Sequence, residues 1–98
     1  MNKIQRQILA YILQERSITW IEAKEIIGIP VHHFLEAVGE LKYQRIVDTT
    51  QATVELKKGE PGIINKYTLT ESGKIIAQRN SIIPGYTITP KHPNTQTP

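Results

Sequence analysis

The sequence predicts a small α+β domain: three helices, one two-stranded β-hairpin, then a short closing helix. Three observations carry this prediction. Apolar residues recur at helical spacing in separate stretches ahead of Ile46. The second and third of these stretches are parted by Gly28-Ile29-Pro30, a corner that neither helix can run through. Further on, two stretches of alternating apolar and polar residues flank a turn rich in glycine and proline. With 98 residues the chain has room for one core and no second.

The first helix is expected from Asn2 to Arg16. Ile4, Ile8 and Ile12 repeat every four residues, with Leu9 and Leu13 one step round, so this stripe faces a core. Lys3, Arg6, Gln7 and Gln14 are left to solvent. Ser17-Ile18 can form only a one- or two-residue strand. Thr19 and Glu22 then make a capping box, in which each side chain accepts a backbone N–H that the helix start leaves unpaired. Trp20, Ala23, Ile26 and Ile27 are the expected buried face of the second helix, and Gly28 can take the left-handed conformation that ends it.

Proline at position 30 suits the first turn of the third helix, which runs to about Gln44. On a helical wheel Phe34, Ala37, Val38 and Leu41 fall together and pack inward. His32, Glu36, Gly39 and Tyr43 fall on the opposite side, flanked by His33 and Glu40. Ile46-Val47 opens a strand, and Asp48 to Ala52 shows no period and reads as irregular or bulged. Val54 and Leu56 alternate with polar neighbours up to the turn Lys58-Gly59-Glu60-Pro61-Gly62. The return strand is expected from Ile64 to Leu69, with Tyr67 and Leu69 inward and Lys66 and Thr68 outward. A fourth helix follows Thr70 and carries Glu71, Ile75, Ile76 and Arg79; Gly73 weakens it.

This places the domain over residues 1–79 and a proline- and threonine-rich tail over 80–98. The tail's Pro84, Pro90, Pro93 and Pro98 oppose a packed core. Its apolar residues Ile82, Ile83, Tyr86 and Ile88 suit contact with the domain or a partner.

Composition narrows the function. There is no cysteine, which excludes a disulfide scaffold and a thiolate metal site and favours a cytoplasmic setting. Met1 leads into a helix of mixed polarity rather than a signal peptide, and no stretch is apolar enough to span a membrane. The net charge is +3, compatible with a polyanionic partner. Its distribution is uneven. From Trp20 to Gln44 two lysines face four glutamates, a net −2, whereas from Lys57 to Lys66 three lysines face one glutamate, a net +2. Lys3, Arg6 and Arg16 add basic charge to the first helix.

The order helix, short strand, helix, helix, hairpin, helix resembles the winged helix-turn-helix family. Two stretches carry the likeness. The first is Ala23-Lys24-Glu25-Ile26-Ile27-Gly28-Ile29-Pro30, continuing to Leu41 and Ile46-Val47. The second is Tyr67-Thr68-Leu69-Thr70-Glu71-Ser72-Gly73-Lys74, which is similar to the Y-x-L-T-x-x-G ending of the wing in MarR-like and PadR-like transcriptional regulators. The resemblance implies double-stranded DNA as the partner, with the third helix in the major groove and the hairpin, or wing, on the backbone. By position it implies helix contacts from His32, His33, Glu36 and Tyr43, and wing contacts from Lys57, Lys58 and Lys66. Two features depart from the pattern: the third helix is poor in positive charge, and the tail stands where those regulators have a long dimerisation helix.

The resemblance also implies a homodimer, for which the first helix, the fourth helix and residues 82–88 offer apolar surface. The alternative function is a winged-helix protein–protein interaction module in a larger complex. His32 and Glu36 would supply two metal ligands, with only His92 of the tail as a third, so no metal or other cofactor is expected. No thiol nucleophile and no glycine-rich phosphate loop after a strand is present, so no enzyme is expected.

Overall fold

The computed structural model describes residues 1–80, without the side chains of Leu56 and Lys57. Helix α1 spans Lys3–Glu15. Its start is fixed by a reciprocal cap: the Asn2 carboxamide accepts the Gln5 N–H at 2.8 Å, and the Gln5 side chain accepts the Asn2 N–H at 3.1 Å. Its end is Arg16, which holds the left-handed conformation at φ 82° and donates its N–H to the Ile12 carbonyl. Ile8, Leu9 and Ile12 are buried as the four-residue repeat requires. Arg6, expected in solvent, is instead half-buried, and its Nε is enclosed without a hydrogen-bond partner.

Ile18 forms the anticipated one-residue strand, exchanging two backbone hydrogen bonds with Tyr67 at 2.9 and 3.0 Å. Thr19 and Glu22 then make the capping box that opens α2, Trp20–Glu22. One carboxylate oxygen of Glu22 accepts from the Thr19 N–H; the other accepts from the hydroxyl of buried Tyr11. Burial pushes the Tyr11 phenol far above its ordinary range, and the charge of Glu22 and the hydrogen bond to it push the same way.

The helix then widens over Ala23–Ile27, so that Gly28, at φ 89°, donates to the carbonyl five residues back. This wide turn overturns one expectation. Ile26, assigned to the buried face, is 49% exposed, and Ile29 is buried in the core instead. A residue added to the turn rotates the chain beyond it, whereas the apolar pattern assumes a uniform 100° step.

Helix α3 spans Val31–Tyr43. Pro30 caps it from just outside the first turn, and its carbonyl accepts the Phe34 N–H at 2.9 Å. Phe34, Ala37, Val38 and Leu41 are all buried, as the wheel required. Strands β1, Val47–Lys57, and β2, Glu60–Leu69, form one antiparallel hairpin in continuous register from Val47↔Leu69 to Glu55↔Pro61, with an irregularity between Glu55 and Lys57. The segment Asp48 to Ala52 is therefore regular strand, not a bulge. The turn is also shorter than expected, only Lys58-Gly59, with Glu60, Pro61 and Gly62 already in β2. Burial alternates from Val47 to Thr49 but loses its phase where Thr50 and Gln51 are both exposed, so the period that marks a strand in sequence is broken there.

Helix α4 spans Glu71–Asn80 and closes the domain against α1. The Tyr-x-Leu-Thr-x-x-Gly stretch is a joint. Tyr67 packs edge-to-face on Phe34, ring centres 5.6 Å apart. The Thr70 hydroxyl donates to the Arg45 carbonyl at 2.7 Å and accepts the Gly73 N–H at 2.9 Å. Gly73 lies so close to the Ile46 carbonyl that a methyl group in its place would overlap it. Its lack of a side chain, which on helix propensity alone is a weakness, lets α4 dock. Residues 81–98, and with them the expected contact over 82–88, lie outside the described residues.

Candidate nucleic-acid interface

The expected outward face of α3 is outward. His32, His33, Glu36, Gly39, Glu40 and Tyr43 are all exposed, Tyr43 at 87%, so it does not pack under the hairpin. His32 and Tyr43 share one stripe but lie about 16 Å apart along the axis, at 1.5 Å per residue. His32 and His33 leave the helix about 100° apart, yet their rings converge to 4.1 Å with a 42° tilt. Among the described residues no group of three or more histidines and carboxylates is placed to hold a metal ion.

The two edges of that face differ. Towards α1, His33, Glu36 and Glu40 border a groove with Asn2, Ile4 and Gln5, and Gln5 Nε2 donates to the Glu40 carboxylate at 3.4 Å. Towards the hairpin stand Leu35 and, two turns on, Lys42, both exposed. Leu35 walls a notch of about 250 Å³ whose other lining includes Trp20, Gln51, Ile63 and Asn65. Glutamates thus occupy the edge turned away from the hairpin. A count of charge along the helix misses this split, which the wheel angles of Leu35 and Lys42 already contain.

The hairpin carries the wing residues. The side chains of Gln51 and Asn65 are cross-strand partners on the face turned to α3. Lys66 pairs with Thr50 one step along, hence on the opposite face, and is half-buried. Lys58 is exposed at the tip, where Gly59 holds φ 76° and donates its N–H to the Glu55 carboxylate. Lys57 ends β1. Measured from Gln51, which lines the same notch as Leu35, the strand continues for about six residues, or ~20 Å, whereas α3 has only about 6 Å left between Leu35 and its start at Val31. A projecting hairpin beside an exposed third helix decides the architecture.

The fold is a winged helix-turn-helix. Solved structures with this fold include the adhesin competence repressor AdcR from Streptococcus pyogenes, at 22% identity over 81% of this chain and 53% of that one, TM-score 0.65. A mutant of MarR from E. coli matches at 18% identity over 81% of this chain and 54% of that one, TM-score 0.66. A transcriptional regulator homologue from Pyrococcus horikoshii OT3 matches at 14% identity over 80% and 72%, TM-score 0.65. The winged helix here spans about half the length of the AdcR and MarR chains. No protein-family model and no curated protein sequence matches the chain. No helix among the described residues is long and apolar enough to cross a membrane.

Proposed function

We propose that this protein binds double-stranded DNA and acts as a transcriptional regulator, with α3 in the major groove and the wing on the phosphate backbone. The observation that carries this is the exposed α3 face standing beside a hairpin that runs on past it and whose segment from Lys57 to Lys66 is net basic, although the hairpin as a whole is neutral. The fold is shared with solved proteins named as a repressor and a regulator homologue. His32, His33, Glu36 and Tyr43 are the candidate base-reading residues of α3. Histidine can donate to guanine, and a glutamate can accept from cytosine N4. Lys57, Lys58 and Lys66 supply phosphate contacts, joined by Lys42 on the hairpin edge of α3.

One helix and one wing read a short site, so a two-fold homodimer is part of the proposal. Of the two helices expected to supply its surface, α4 exposes Ile75, whereas the large apolar residues of α1 lie in the core or against it, so α4 is the surface proposed. A monomeric mass by sedimentation at micromolar concentration would contradict the dimer.

The acidic edge formed by Glu36 and Glu40, with Leu35 and Ile63 exposed at the opposite, hairpin edge, favours a second reading: a winged-helix module that binds another protein. Electrophoretic retardation of random duplex DNA separates the two. A DNA-binding protein retains the duplex at low salt and releases much of it at moderate salt. Absence of retention even at low salt would leave the protein-binding module.

A further inference from the structure

We infer that Leu35 is a specificity-determining residue that reads the C5 methyl group of thymine; the inference rests on α3 entering the major groove. Leu35 is 49% exposed on a helix whose Phe34, Val38 and Leu41 are almost wholly covered. It lies about 60° round from His32, one turn in from the helix start, at the end from which the wing projects. Nothing among the described residues closes over it: the notch it walls opens between α3 and the hairpin.

Charge decides which edge of α3 can approach a phosphate-lined groove. The α1 edge presents Glu36 and Glu40, whose carboxylates repel phosphate. The hairpin edge presents Leu35, opposite the amides of Gln51 and Asn65, and, two turns on and about 20° from it on the wheel, Lys42. If that edge leads, the lysine and the amides meet the backbone, and Leu35 is carried to the base edges.

A leucine at that place makes no hydrogen bond. On the major-groove floor the only methyl group is that of thymine; guanine and adenine present acceptors and donors, and cytosine its amino donor beside a bare C5–H. Against those, Leu35 would strip water from polar atoms without replacing it. Against thymine it buries a methyl group, worth about 0.8 kcal/mol, or about fourfold in affinity. Discrimination therefore has both an attractive and a repulsive part.

The test starts from a duplex pool with a randomised centre, selected by retention on the full chain. Wild-type protein is expected to enrich a thymine at one position of the site, and Leu35→Ala to lose that preference while keeping the rest. Replacing that thymine by deoxyuracil, which lacks only the methyl, should weaken wild-type binding about fourfold and leave Leu35→Ala unchanged. Leu35→Gln, which keeps the side-chain length, should also lose sensitivity to the methyl. Leu35 is half exposed, and alanine favours helix, so the fold is retained. If deoxyuracil at every enriched thymine leaves wild-type affinity unchanged, or weakens both proteins equally, the inference is overturned and the DNA-binding function stands. If no duplex is retained at low salt, DNA binding itself fails, and the inference with it.

Discussion

Tyr11 and Glu22 tie the first helix to the entrance of the helix-turn-helix. The Glu22 carboxylate links the Thr19 N–H at its helix cap to the Tyr11 hydroxyl on the helix beside it. The phenol is buried and its folded-state titration is displaced upward. In the unfolded chain it ionises near pH 10. Stability linked to this group is therefore fully present below about pH 10 and is lost as the pH climbs beyond it, because only the unfolded chain then releases the proton. Tyr11→Phe is expected to cost about 1 kcal/mol at neutral pH, through loss of the hydrogen bond. It should also remove part of the alkaline sensitivity. Urea midpoints at pH 7 and near pH 10.5 measure both, and an equal alkaline loss in the two proteins would count against the assignment.

The joints between elements are where side chains act in ways that periodicity does not record. Gly73 is the clearest. In an exposed helix, Gly→Ala gains up to about 1 kcal/mol. Here the added methyl meets the Ile46 backbone, which cannot rotate away as a side chain can. Gly73→Ala is expected to lower stability by about 2 kcal/mol or more, the sign reversed by packing. A stabilised variant in denaturant unfolding would show that α4 does not dock as described. The same contrast separates what is legible in the sequence from what is not. The α1 stripe, the Thr19–Glu22 cap, the inner face of α3 and the single-residue strand at Ile18 are legible, because spacing and capping chemistry act locally. The exchange of Ile26 for Ile29 is not, since a widened turn has no composition of its own. Nor is the regular strand over Asp48 to Ala52, where burial loses its period. In the candidate site, exposure of His32, His33, Glu36 and Tyr43 is legible from the wheel. The roles proposed for Leu35, Lys42, Gln51 and Asn65 depend on where the hairpin lies, which no local pattern states.

Over the whole molecule the functional problem is electrostatic. The segment from Trp20 to Gln44 is net acidic, while the hairpin segment from Lys57 to Lys66 is net basic. On the function proposed above, DNA affinity comes mainly from the wing, and α3 selects among bases once the chain is held. Each lysine that displaces a counterion from phosphate adds about 0.9 to the slope of log Kobs against log salt. The decisive measurement is that slope for the wild-type chain and for the variant with Lys57, Lys58 and Lys66 all replaced by alanine. The slope is expected to fall by about one per lysine in contact, with affinity reduced across all sequences. A variant that binds with unchanged affinity and an unchanged slope would contradict the claim that the wing grips the backbone.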